Sequence, residues 1–289
     1  MTAFVFVLCA PGAERALKEE VKQKGLPWVP SYQRSGFVTF KGPYTRTELV
    51  LAHEYSESLG KVASISDVTA DLVRVMGTPA RAPHDGEKVA DIVTLSPEEI
   101  WAGTHLHDST HSIYPGGNYP DVLPAEAPSR AYLKLEAVLE WAGFVPGARE
   151  VAIELGAAPG GASWSLLQRG LEVVGVDPGE MDPRILAHPR FRHVKNSINV
   201  LPPSALPQRA DWIIADMNTT PNLTLRSARA LVMRCLPRAM VLTIKLKTWD
   251  LARHVPTWIA EVERWGFTDV RAKQLSPHRQ ELALVAARV

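Results

Sequence analysis

"VAIELGAAPGGASWSLLQRG", residues 151–170, runs five apolar-rich residues as a strand and then punctuates sharply. Three glycines and a proline fall within positions 156–161, and a helical stretch follows at once. Glycine in such a turn bares the backbone and removes side-chain bulk, so a partner can approach the main chain closely. In a doubly wound sheet the loop after the first strand faces a ligand at the carboxyl edge.

The flanking sequence carries the same texture outward. "SRAYLKLEAVLEWAG" precedes the loop as a helix, with Ser129 a plausible cap and Leu133, Val138 and Trp141 helping to define its apolar side. "EVVGV", "RFRHV", "DWIIA", "MVLTIKL" and "ELALVAAR" follow as strands. "LTLRSARALVMRCL" and "HVPTWIAEVERWG" intervene as helices. Apolar strands alternating with helices predict a parallel α/β sheet covered on both faces. Residues 1–75 read as a small α+β module. "AFVFVLC" and "GFVTF" are strands, "PGAERALKEEVKQKG" a helix, and "TRTELVLAHEYSESLG" a second helix capped by Thr45 with Glu48 three residues on. Residues 76–128, rich in Pro, Gly, His and Asp, read as a linker with one or two short strands such as "KVADIVTL". The domain expectation is therefore 1–75, 76–128 and 129–289.

Composition bounds the class. The 289 residues are 46% hydrophobic and 22% charged, as in soluble globular proteins. The longest apolar runs are too short to span a bilayer. "MTAFVFVLCAPGAERALKEE" lacks a basic lead and reads as a strand entering a helix, not a signal peptide. Cys9 and Cys235 lie far apart in apolar surroundings and read as buried reduced thiols of a cytoplasmic protein. The net charge of +1 hides an asymmetry. Residues 217–289 hold 12 Lys/Arg against 5 Asp/Glu, whereas residues 1–128 hold 11 against 16. A basic last third suits a polyanionic partner or a solvated basic face.

The loop Gly156-Ala157-Ala158-Pro159-Gly160-Gly161 is neither G-x-G-x-x-G nor a P-loop, which disfavours dinucleotides and nucleotide triphosphates. Asp177 directly follows the next strand, where a carboxylate can accept hydrogen bonds from ribose hydroxyls. A nucleoside cofactor without a pyrophosphate fits both features, and S-adenosylmethionine is the common one. Lys134, Asp216, Lys245 and Glu281 stand where one site could gather them. Lys245, between Ile244 and Leu246, is costly inside a sheet unless paired. Lys247 shares its parity, so periodicity leaves the choice between them open.

"ELGAAPGGASWSLLQRG", "VGVDPGEMDP", "IIADM", "TIKLK" and "RQELALVA" together resemble the FtsJ family of S-adenosylmethionine-dependent RNA 2′-O-ribose methyltransferases, and "SRAYLKLE" resembles its lysine-bearing helix. The resemblance covers about 129–289. It implies a Rossmann-like methyltransferase sheet joined to the small N-terminal α+β module, with S-adenosylmethionine as cofactor. It also implies a catalytic tetrad of Lys134, Asp216, Lys245 and Glu281, with Lys245 preferred over Lys247 because "LTIKL" matches the family's strand. Cofactor contacts carry over to Gly156, Ala157, Ala158, Pro159, Gly160, Gly161, Trp164, Asp177, Pro178, Ser197 and Asp216. "PGAERALKEEV", "SGFVTF" and "YPGG" resemble RlmM-type rRNA methyltransferases, which join a THUMP-containing region to this catalytic domain. The chain is shorter than that arrangement usually needs, so a reduced or absent THUMP part is expected. The implied partner is RNA, with rRNA favoured, and no membrane or stable protein partner. A methyltransferase with a small-molecule or protein acceptor, and a non-catalytic RNA-binding protein, are the alternatives.

Two departures bear on substrate. "HVKNSINV" offers Asn196 and Ser197 where the family often has an Asp near adenine, and "MNTTPNLT" replaces the usual stretch after Asp216. Three weaker signals remain. "HLHDSTH" (His105, His107, Asp108, His111) has no partner Cys and reads as a hydrogen-bonded loop rather than a metal site. His278 and Arg279 in "SPHRQE" could meet phosphate or solvent. Trp249, Trp258 and Trp265 lie in helix-like segments and read as core.

Overall fold

The computed structural model describes residues 3–198 and 203–288. The chain divides into two compact units. One comprises Met1–Tyr119, Thr248–Arg253 and Lys273–Arg279; the other comprises Pro120–Lys247, His254–Ala272 and Gln280–Val289.

The first unit is a seven-stranded sheet in the order β2-β3-β1-β4-β7-β6-β5. Its strands are β1 (Phe4–Cys9), β2 (Val29–Arg34), β3 (Phe37–Lys41), β4 (Ala52–Lys61), β5 (Leu72–Val75), β6 (Lys88–Ser96) and β7 (Glu99–Leu106). Helix α1 (Glu14–Gln23) supplies Ala16, Leu17 and Val21 to a core shared with Val5, Val7, Phe40 and Tyr55.

Two sequence expectations are corrected here. The second helix over "TRTELVLAHEYSESLG" is absent, and β4 occupies its C-terminal half; Thr45 caps nothing, its hydroxyl donating to Pro43 O at 3.4 Å. Glu54 and Ser56 break an apolar alternation, yet both are buried. They are buried because distant partners pay their desolvation cost: Arg74 on β5 donates to Glu54 Oε2 at 3.0 Å and to Asp91 Oδ1 at 3.0 Å, and Ser56 Oγ donates to Asp91 Oδ2 at 3.0 Å. Residues 76–128 do hold the expected strand at "KVADIVTL", which is β6, and a second, β7, but both lie inside the sheet rather than in a linker. These pair with each other and with β5 and β4, burying Val89, Ala90, Ile92, Val93 and Ala102.

In the second unit the order is β10-β9-β8-β11-β12-β14-β13. The strands are β8 (Val151–Leu155), β9 (Glu172–Val176), β10 (Phe191–Val194), β11 (Trp212–Ala215), β12 (Ala239–Lys245), β13 (Asp269–Lys273) and β14 (Glu281–Ala287). The helices are α2 (Ala131–Ala142), α3 (Gly161–Gln168), the short α4 (Pro183–Leu186), α5 (Pro221–Cys235) and α6 (Val255–Glu263). β8 through β12 are parallel, and β14 runs antiparallel to β12. β8 lies between β9 and β11, so the strand order reverses beside it, and in such sheets ligands bind at that crevice. α2 begins without the expected serine cap. Arg130 is the N-cap residue, and Ser129 contributes its backbone oxygen to Tyr132 N–H at 3.1 Å.

Cys9 and Cys235 are both free and buried. Burial pushes the Cys9 thiol up to about 12, which keeps it protonated and inert. No helix among the described residues is long and apolar enough to cross a membrane.

Candidate active site

β8 ends at Leu155, and the glycine loop turns over the sheet's carboxyl edge. Gly156 has φ 78°, and a Cβ there would stand 2.5 Å from Asp216 O. The ends of β8 and β11 therefore touch backbone to backbone, which only glycine permits. Gly161 opens α3 against the start of α2, where a Cβ would meet Ser129 O at 2.7 Å. Gly160, with φ 119°, is pressed on Ile185 of α4. Ala157, Ala158, Pro159 and Trp164 complete the loop and first turn of α3, whose leading N–H groups suit an anionic group.

Asp177 follows β9 and clamps this loop. Its Oδ2 accepts from Ala158 N–H at 3.1 Å and its Oδ1 from Gly179 N–H at 2.7 Å. A carboxylate offers about four lone-pair positions, so capacity for ribose hydroxyls remains. Pro178 is exposed beside it. Asn196 and Ser197 follow β10 at the same edge, with Asn196 Oδ1 accepting from Ser197 N–H at 2.8 Å.

The four residues expected as a tetrad come together from four elements. Lys134 on α2 donates to Asp216 Oδ2 at 3.2 Å and to Glu281 Oε2 at 2.7 Å. Lys245, the last residue of β12, donates to Asp216 Oδ1 at 2.8 Å and to Glu281 Oε1 at 2.6 Å. The result is a closed ring of alternating charge. Lys247 is exposed and lies outside this ring. Burial pushes the Asp216 carboxyl up, but Lys134 and Lys245 outweigh it and hold it below the ordinary value. Burial lowers Lys245, yet Asp216 and Glu281 outweigh that and leave it raised.

One residue escaped sequence reasoning. Glu154 in β8 is only 2% exposed and accepts from Ser163 Oγ at 2.5 Å. Burial, reinforced by Asp216 and Asp177 and opposed by Ser163, pushes its carboxyl up to about 8. A glutamate inside the apolar run "VAIEL" was the available signal. Asp177 makes no ion pair among the described residues and keeps acceptor capacity at the loop, and the bared backbone of Gly156 to Gly161 lies beside it, so these residues fit the ribose and the amino-acid end of S-adenosylmethionine.

The weaker signals resolve separately. His278 is 1% exposed and so cannot serve as a surface phosphate contact, whereas Arg279 is exposed. Trp258 and Trp265 are buried, as read, and Trp249 packs partly buried against the first unit's core. His105 belongs to β7 rather than a loop. Glu54, His105 and His111 bring ligand-type atoms within 4.8 Å of one another. However, the two imidazoles stack at 3.8 Å with planes 10° apart, so their in-plane lone pairs do not converge on one point. Arg74 already supplies the cation there, 3.0 Å from Glu54 and 2.8 Å from Asp91.

Residues 127–253 match the family model described as FtsJ-like methyltransferase, so this part of the chain is an FtsJ-like methyltransferase domain. Its similar relatives are more particular. Ribosomal RNA large subunit methyltransferase M of Marinobacter nauticus is 32% identical over 214 residues, covering 69% of this chain and 58% of the relative. The protein of the same name from Xylella fastidiosa is 33% identical over 177 residues, covering 57% and 48%. That of Azotobacter vinelandii is 27% identical over 308 residues, covering 96% and 85%. The chain thus spans about half to three-fifths of the length of the first two relatives.

Proposed function

We propose that this chain transfers a methyl group from S-adenosylmethionine to a ribose 2′-hydroxyl of RNA, with large-subunit rRNA the favoured substrate and the cytoplasm its setting. The observation that carries the reading is the ring Lys134–Asp216–Lys245–Glu281 beside the glycine loop. The names of the relatives support rRNA as the substrate class.

When bound, S-adenosylmethionine supplies an electrophilic methyl on a sulfonium, whose charge near Lys245 favours the neutral amine. Gly156 to Gly161 and the start of α3 hold the amino-acid end of the cofactor. Asp177 takes the ribose, Ser197 and Asn196 lie toward the base, and Trp164 and Pro178 flank the pocket. Lys245, once neutral, removes the proton of the attacking 2′-hydroxyl. Asp216 and Glu281 aim its nitrogen by occupying its hydrogen atoms, and Lys134 balances their charge. Such general-base help contributes about 10²–10⁴-fold. Holding the oxygen in line with the methyl contributes the remainder by orientation.

The test is transfer of labelled methyl from S-adenosylmethionine to RNA from cells lacking this protein. Alkali-resistant linkages that carry the label, and that vanish with Lys245→Ala, are expected. Label in protein or small molecules and none in RNA would overturn the reading.

A further inference from the structure

α5 starts five residues after Asp216, at the carboxyl edge of the second unit's sheet, and packs on β11 and β12. Lys247 leaves β12 at the same edge, two residues after Lys245. From Met217 to Trp249 the sequence holds six Lys/Arg and no Asp or Glu. Three of the six are engaged inside the unit: Arg234 donates to Leu206 O at 2.9 Å, Arg238 pairs with Glu150 at 2.6 Å, and Lys245 belongs to the ring.

The other three are Arg226, Arg229 and Lys247. All are exposed, and among the described residues none makes a hydrogen bond or ion pair. The buried face of α5 is Thr224, Leu225, Ala228, Leu231, Val232 and Cys235. Its outer face therefore presents Asn222, Arg226 and Arg229 without a compensating carboxylate. Residues three apart on a helix are neighbours, and like charges there repel. A solvated helix face usually mixes signs; this one is left positive. With a rise of ~1.5 Å per residue, Arg226 lies about 8 Å and Arg229 about 12 Å along the helix from Pro221.

We infer that Lys247 and the Arg226–Arg229 stripe of α5 grip the phosphate backbone of the acceptor RNA beside the catalytic ring. The inference rests on the RNA reading above and names the surface that holds the strand. Guanidinium forks match phosphate oxygens and carry no sequence information. This surface supplies affinity and register, while the choice of nucleotide belongs elsewhere.

The experiment measures binding of in vitro transcribed, unmethylated large-subunit rRNA as a function of salt. Wild type is compared with Arg226→Gln/Arg229→Gln/Lys247→Gln, with its Lys-retaining counterpart Arg226→Lys/Arg229→Lys, and with Arg209→Gln. Arg209 is exposed just before β11, at the opposite edge. Loss of three phosphate contacts should flatten the slope of log K against log salt by about 2–3 units. At moderate salt the triple variant should bind at least ten-fold more weakly, with KM raised and kcat, cofactor binding and melting kept. Arg209→Gln and the lysine pair should stay near wild type. A triple variant with wild-type slope and affinity overturns the inference while leaving the RNA reading intact. Wild type that shows neither salt-dependent RNA binding nor label in RNA overturns both.

Discussion

Lys245 and Glu281 face each other directly across the antiparallel ladder of β12 and β14, and Lys245 Nζ donates to Glu281 Oε1 at 2.6 Å. The antiparallel course of β14 makes this pair possible. A parallel last strand would begin at the amino edge and carry its first residue away from the site. Reversal instead puts the first residue of β14 at the carboxyl edge, opposite the last residue of β12. Lys134 and Asp216 then close the ring from α2 and from the end of β11.

Lys245→Ala should lower methyl transfer by about 10²–10⁴-fold, the usual worth of a positioned base. Glu281→Gln keeps the shape and one acceptor, and should cost less. Both variants should still bind cofactor, because the glycine loop and Asp177 are untouched. Single-turnover transfer and calorimetric cofactor titration separate the two effects.

The pH profile follows from the raised Lys245. The group works only when neutral, and Asp216 and Glu281 hold it above its ordinary value in the free protein. As kcat/KM reports free-enzyme ionisations, it should still be climbing above neutral pH rather than levelling there. A plateau at neutral pH would assign proton removal to another group.

Glu154 gives an independent stability prediction. Its folded value, pushed up to about 8, exceeds the ordinary 4.5. Between these values the folded state binds more protons than the unfolded one, so Glu154 makes stability fall as pH rises through that window. Glu154→Gln keeps an acceptor for Ser163 Oγ and removes the titration. The melting advantage of the variant over wild type should therefore grow from pH 4.5 to 8 and then level off. An advantage that does not change with pH would place Glu154 in an ordinary ionised state.

The second unit was legible because its chemistry is local to strand ends. The glycine loop, Asp177, Asp216 and Lys245 each sit at or just after an apolar run, and the parallel order lines those ends on one edge. Glu281 needed the reversed strand, which the "RQELALVA" resemblance supplied. The first unit was less legible. The periodicity of "ELVLAHEYSESLG" depends on whether Glu54 is outside or inside, and Arg74, twenty residues on, decides that. His105, on the same sheet, similarly turned from a loop residue into a strand residue. Local pattern carries no trace of a partner that distant. Glu154 was missed for a related reason: inside "VAIEL" it reads as one polar interruption of a strand, and its neighbours Asp177 and Asp216 meet it only once the sheet forms.

Gly156→Ala tests the contact between strand ends. The residue's φ of 78° is in the left-handed region, and the new Cβ would stand 2.5 Å from Asp216 O. The strained backbone alone costs about 1–3 kcal/mol. The clash must also push Asp216 out of the ring, so cofactor affinity and transfer should fall together. Gly25→Ala, with φ 65° and nothing within 4 Å of its Cβ, should cost only the backbone share of about 1–2 kcal/mol and leave activity unchanged. Chemical denaturation beside the transfer assay distinguishes the two.

Arg74→Met tests the ion cluster of the first unit. Arg74 is fully buried between Glu54 and Asp91 and also donates to Ser112 O at 2.7 Å. Removing it strands two buried carboxylates, and breaking such a pair from one side typically costs about 3–5 kcal/mol. A triple replacement of Arg74, Glu54 and Asp91 by apolar residues of similar volume should recover much of the stability, since no charge is then left unpaired. If Arg74→Met alone left urea unfolding of the whole chain unchanged at pH 8, the cluster would have no part in holding β4, β5 and β6 together.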